Sequence, residues 1–212
     1  MKLREKIDIF KTGVFEMFPD AVTELEYSNS FQLLIAIIMS AQTTDKQVNK
    51  VNKTFFKYLK TPEDGIKLGE AKIKDYIKTI SFFNNKAKNI FATCQILVGS
   101  KKLDEYKTIG ELIKLPGVGI KTAKVFLAVI DDAPFLAVDT HVHRVLNRVG
   151  IVKAKTPLET DKKAEKILNT DDLHKLHHSL IMFGRYHCTA RSPKCEICPI
   201  NYVCNYYKKK KK

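Results

Sequence analysis

Four cysteines near the end of the chain are spaced to meet around one point, and this constrains the fold more than any other feature. Cys188, Cys195, Cys198 and Cys204 follow the pattern C-x6-C-x2-C-x5-C within 17 residues. Thiolates are the preferred ligands of soft metals and of iron–sulfur clusters. Four of them saturate a tetrahedral site and leave no open position for catalysis, so the site is expected to be structural. Disulfides would need an oxidising compartment, whereas the opening MKLREKIDIF lacks the apolar run and cleavage site of a signal peptide. A cytoplasmic, reduced protein is expected. A zinc ribbon carries two C-x2-C pairs separated by a longer stretch. Here one such pair is flanked by single cysteines, which favours a [4Fe–4S] cluster and leaves zinc as the alternative. The fifth cysteine, Cys94, falls in phase with Ala87, Ile90, Phe91 and Leu97 on one helical face and reads as core.

The rest of the chain reads as helix. Val48, Val51, Phe55 and Leu59 keep the 3.6-residue period, as do Leu173, Leu176, Leu180 and Phe183. Pro62, Gly65, Gly69, Gly117, Gly119, Pro134 and Pro157 punctuate these runs. No alternating strand is evident, and an all-α protein of ten or more helices is expected. LLIAIIM is the longest apolar run, too short for the roughly 18 residues that span a bilayer, and no membrane partner is expected. The formal net charge is +14, and removing the five lysines Lys208 to Lys212 still leaves +9. A basic body favours a polyanionic partner. The lysine tail is expected to be disordered.

The segment from Leu115 to Ala123, LPGVGIKTA, carries the most chemistry. Pro116 ends one helix, Gly117 and Gly119 permit a tight turn with positive φ, and a second helix starts near Ile120. Such a helix–hairpin–helix points its amides and a helix N-terminus at one spot, a site for a phosphate. Lys121 falls in the first turn of the second helix, where the dipole repels a cation. One reading is a lysine beside DNA phosphate. The sharper reading is that this repulsion, with partial burial, favours the neutral amine, a nucleophile able to form a Schiff base at a sugar carbon. Eighteen residues on, AVDTHVHR places Asp139 before a helix running to about Val149, as an N-cap whose carboxylate stays ionised.

Taken together, hairpin, lysine, aspartate and cysteine spacing resemble the endonuclease III family of DNA repair glycosylases. The resemblance runs from about Phe31 to Cys204. It rests on MSAQTTD, KTISFFNNKA, LPGVGIKTA, VDTHVHRV and HHSLIMFGRYHC, in that order. It implies a two-lobed α fold, with a six-helix barrel over about 23–135 that carries the hairpin. A discontinuous cluster domain would comprise 1–22 and 136–212, including the tail at 208–212. It implies a bifunctional glycosylase and abasic-site lyase acting on oxidised pyrimidines in duplex DNA, a monomer in the cytoplasm at the nucleoid. Lys121 and Asp139 would be catalytic.

Gln42 and Phe82 are candidates to fill the gap left by a flipped base, the first by hydrogen bonding the orphaned partner and the second by stacking. Where the family commonly has Gly-Leu, this chain has Ser81-Phe82. Gly117, Val118 and Gly119 would meet phosphate through the hairpin, Arg191 and Lys194 from the cluster loop, and Arg185 from nearby. Ser40, Asp45 and His141 would order water or Asp139. Adenine-specific relatives lack the lysine and carry a glutamate where this chain has Ile37. A non-enzymatic DNA-binding module is the rival of a different class.

Overall fold

The computed structural model describes residues 1–168 and 172–211, and among these the regular structure is entirely helical. Two compact units divide the chain: Glu24–Asp131, and Met1–Thr23 together with the chain from Asp132 onward.

The first unit is organised around α2 (Ser30–Ser40), in which every residue from Phe31 to Met39 is buried. A helix apolar on all sides must be surrounded. The others in this unit are α3 (Asp45–Phe55), α4 (Pro62–Ile77), α5 (Phe83–Val98), the short α6 (Ile109–Leu112) and α7 (Ile120–Ile130). Local chemistry sets where these helices begin. Asn29 accepts a hydrogen bond from the Gln32 amide at 2.8 Å to open α2. Thr61 and Asp64 form a capping box at α4, with Pro62 just inside it. Gly69, at φ +73°, breaks α4 into two segments. The predicted apolar stripe is buried, with Val48, Phe55 and Leu59 fully inside. Cys94 is buried too, and burial pushes its thiol up to about 12, which makes it an inert packing residue.

The second unit contains α1 (Leu3–Met17), α8 (Thr140–Val149), α9 (Pro157–Ile167), α10 (Leu173–Met182) and α11 (Asn205–Lys210). Its core joins Phe10 and Val14 of α1 to Val142, Val145 and Leu146 of α8, to Leu176 and Leu180 of α10, and to Ile200 and Val203 of the cysteine loop. Each such side chain contributes about 1.5–3 kcal/mol on burial. His177 and His178 are buried in α10 as packing groups, their ring centroids 5.0 Å apart.

The expectation of a disordered lysine tail is corrected. Lys208 to Lys210 continue α11, because Tyr207 is buried and anchors the helix, and because cations suit its C-terminal end. Lys212 lies outside the described residues.

Candidate active site and cluster loop

The hairpin is built from α6, a turn and α7. Leu115 and Val118 are buried beneath the turn, and the Val118 amide donates to the Leu115 carbonyl at 3.1 Å. Thr93 of α5 donates its hydroxyl to the Pro116 carbonyl at 2.9 Å, fixing the turn to the core. The two glycines differ. Gly117 has φ +80°, and a Cβ there would lie 3.0 Å from that of Asn89, so both backbone and space require glycine. Gly119 has φ −92°, contrary to the positive φ expected for both, because it is the extended N-cap of α7. A Cβ on Gly119 would meet nothing within 4 Å. Its missing side chain serves no internal contact and leaves the amides of the turn open to an approaching group. Val118 can meet such a group only through its backbone, since its side chain is inside.

Lys121 occupies the first turn of α7 and is exposed, so the expected partial burial is corrected. Side chains on a helix lean towards its N-terminus. The Cβ of Lys121 therefore tilts towards the hairpin end of α7, while Ala123, Lys124, Phe126 and Leu127 form the buried face.

Gln42 and Phe82 share an unusual conformation. Each has φ +57°, and Asp132 is the one other non-glycine with positive φ among the described residues. For an ordinary side chain this costs roughly 1–2 kcal/mol. Both residues are exposed, Phe82 at 62 %, so Phe82 is not a core aromatic. Their loops are tied together: the Ser81 amide donates to Thr43 Oγ1 at 3.2 Å, and Gln47 Nε2 to Thr79 Oγ1 at 2.8 Å. Ser40 donates its hydroxyl to the Ile37 carbonyl at 2.9 Å and so serves the end of α2. Asp45 lies in the first turn of α3, behind the cap Thr44.

Asp139 lies in the other unit from Lys121. It is the N-cap of α8, half-buried, with Oδ1 accepting from the Val142 amide at 2.8 Å. His141, in the same turn, packs against Gly184, and its Nδ1 is 3.3 Å from Arg144 Nη2. Arg144 donates to the carbonyls of Gly184 at 2.7 Å and Cys188 at 3.1 Å. Arg148, one turn on, donates to the carbonyls of Thr189 at 2.6 Å and Ala190 at 2.7 Å, beneath the ring of Tyr206. The helix that presents Asp139 therefore also grips the start of the cysteine loop.

Cys188, Cys195, Cys198 and Cys204 line one pocket with Val149, Phe183, Ile200 and Tyr207. All four are free thiols. Backbone bonds from Cys198 to Cys195, from Asn201 to Cys198 and from Cys204 to Asn201 wind the loop about this space. Arg191 and Lys194 are exposed on the loop, and Arg185 is half-buried in the turn before it.

A family model described as HhH-GPD superfamily base excision DNA repair protein matches residues 35–170, and one for the iron–sulfur binding domain of endonuclease III matches residues 188–204. The chain is 48 % identical to endonuclease III of Rickettsia conorii, over 92 % of this chain and 94 % of that one. It is 39 % identical to endonuclease III of Escherichia coli K12, over 99 % of each. A solved structure of a trapped endonuclease III–DNA covalent intermediate matches with TM-score 0.88 and 40 % identity over the whole of both chains. The chain belongs to the endonuclease III family of DNA glycosylases and abasic-site lyases. Its cofactor is a [4Fe–4S] cluster.

The residues fit that cluster. The four thiols line one pocket, walled by Val149, Phe183 and Ile200, and an all-thiolate donor set is the one that holds an iron–sulfur cluster. Burial pushes the thiol of Cys198 up to about 11 and raises that of Cys195, so iron must displace their protons on binding.

Three basic residues of this endonuclease III homologue carry weight that the sequence reading did not give them. Arg144 and Arg148 sat unremarked behind VDTHVH, where the i, i+4 spacing from Thr140 and Arg144 was the available signal. Lys86 sat inside the quoted KTISFFNNKA, with no local signal to mark it as buried.

Proposed function

We infer that this chain removes oxidised pyrimidines from duplex DNA and then cuts the strand at the resulting abasic sugar, with Lys121 as nucleophile. The observation that carries the reading is Lys121 standing exposed in the first turn of α7, next to the hairpin turn where Gly119 leaves open space in place of a side chain. Support comes from the relative captured covalently on DNA, since capture needs a nucleophile. A damaged base inside a duplex is out of reach and must be flipped out, at a cost of a few kcal/mol. Gln42 and Phe82, held exposed on linked loops, fill the space left behind. An aromatic at position 82 stacks where the family's leucine only packs.

The Lys121 amine donates its lone pair to the anomeric carbon, the glycosidic bond breaks and the base leaves with a proton. The Asp139 carboxylate stabilises the positive charge that develops on the sugar, an effect that exists only in the transition state. Ring opening gives an iminium between Lys121 and the sugar. That cation acidifies the adjacent C2′ proton, and its loss expels the 3′ phosphate. Hairpin amides, Arg185, Arg191 and Lys194 hold phosphates, which carry no sequence information. The cluster shapes the loop and takes no part in these steps.

The test uses duplexes with single defined lesions, with and without borohydride. The wild-type protein is expected to be captured covalently and to cut the strand. Lys121→Gln is expected to lose both while still binding damaged DNA through the hairpin and basic surface. Capture of Lys121→Gln on abasic DNA would mean that another amine is the nucleophile.

A further inference from the structure

Lys86 is 6 % exposed, in the second turn of α5. Its Nζ donates to the carbonyls of Met39 at 2.7 Å and Ala41 at 2.6 Å, and lies 3.4 Å from Thr43 Oγ1. Met39 and Ala41 close α2, where carbonyls lack helical partners and the helix dipole is negative, so a cation suits the place. Among the described residues no carboxylate offsets the cost of its burial, which lowers the affinity of this amine for its proton. The side chain thus grips the residues on both sides of Gln42. The backbone of the same residue reaches the other loop, donating from Lys86 N to the Phe82 carbonyl at 3.1 Å. Thr43 Oγ1 completes the link by accepting from the Ser81 amide.

Gln42 and Phe82 both sit at φ +57° and both are exposed. Strained backbone persists only where its surroundings over-determine it. Burial of Gln42 and Phe82 cannot supply that restraint, because their side chains face solvent. The hydrogen bonds of Lys86 and Thr43 can supply it.

We propose that Lys86 is a positioning residue for damage recognition: with Thr43 it locks the Gln42 and Phe82 loops into one two-pronged wedge. The proposal rests on the reading of those two residues as the gap-filling pair. A lysine acting only as a helix cap would affect every substrate alike. One acting through the wedge affects the extrusion step.

The test compares holoenzyme variants in single turnover on a duplex with a paired oxidised pyrimidine and on the same duplex with a pre-formed abasic site. Lys86→Met keeps the length of the side chain and removes the ammonium. It should slow base removal on the order of tenfold to a hundredfold, the scale of a group misplaced by about an ångström. Borohydride capture on the abasic duplex should fall far less. Thr43→Val, which deletes only the bridging hydroxyl, should shift the ratio of the two rates in the same direction and stands in if Lys86→Met does not fold. In a Gln42→Ala, Phe82→Ala background, Lys86→Met should add little further loss, as expected for residues acting as a unit. Equal losses on both substrates, or full additivity with the double variant, would overturn the role of Lys86 while leaving the wedge intact. If the Gln42→Ala, Phe82→Ala enzyme processes paired lesions normally, the wedge reading itself fails and takes the proposal with it.

Discussion

Asp139 serves two ends with one carboxylate. Its Oδ1 caps α8 through the Val142 amide, and its negative charge is what the glycosidic step requires. These roles separate by substitution, because asparagine caps as well as aspartate but carries no charge. Asp139→Asn should therefore melt close to the wild type, whereas Asp139→Ala should lose about 1 kcal/mol. Base removal by Asp139→Asn should fall on the order of a hundredfold or more, the scale of losing one transition-state electrostatic contact. Capture on pre-formed abasic DNA should suffer less, since no base remains to leave. Single-turnover rates on the two substrates, beside melting curves, check this. Equal losses on both would place Asp139 in the lyase step.

The hairpin makes a similar separation at the scale of the element. Gly117→Ala should cost about 1–2 kcal/mol, because the left-handed backbone disfavours alanine and Asn89 would have to give way. Gly119→Ala should cost only about 0.5 kcal/mol, the difference between two N-cap residues on an extended backbone. It should still weaken DNA binding, since its methyl group would occupy the space left for a phosphate. DNA affinity measured by anisotropy and stability by melting give opposite rankings of the two variants if this is right. Undiminished affinity in Gly119→Ala would remove the hairpin amides from the phosphate site. LPGVGIKTA announced the hairpin in the sequence, but not the division of labour between its glycines, which depends on φ and on a neighbour 28 residues away. The helices and the Asp139 cap were legible because the 3.6-residue period and the step from Asp139 to the Val142 amide are local. Lys86 was not, because a lysine reads as solvent-facing and its partners lie 43 to 47 residues back along the chain. The tail was misread for a related reason: its charges are obvious, and the burial of Tyr207 that orders it is tertiary.

At the scale of the whole molecule, the cysteine loop and the buried histidines are two points of weakness, and they are expected to fail under different conditions. Cys198→Ser removes one of four ligands from the pocket against which Val149 and Ile200 pack. It should give colourless, poorly soluble protein with little bound iron, and a soluble, fully active, iron-free variant would refute a structural role for the cluster. Acid should act elsewhere. Burial, with a smaller effect from nearby His174, holds His178 down to about 4 from its ordinary 6.5. His187 is lowered as well, mainly by burial. A histidine with a depressed folded pKa binds protons more readily when unfolded. Its contribution is thus complete above pH 6.5 and is lost as pH falls towards 4, by roughly 3 kcal/mol at most for His178. Exposed carboxylates such as Glu111, held at about 2 by Lys101 and Thr108, act only below their ordinary range, so the two effects occupy separate windows. The melting midpoint of the holoprotein, followed from pH 7.5 to 4.5 at one scan rate, should fall. His178→Leu should fall less, by several degrees, at about 2–4 °C per kcal/mol for a chain of this size. His187 leaves a residual slope in that variant. Parallel profiles for the two proteins would show that His178 takes up its proton as readily in the fold as in the unfolded chain, so that its burial does not keep it neutral.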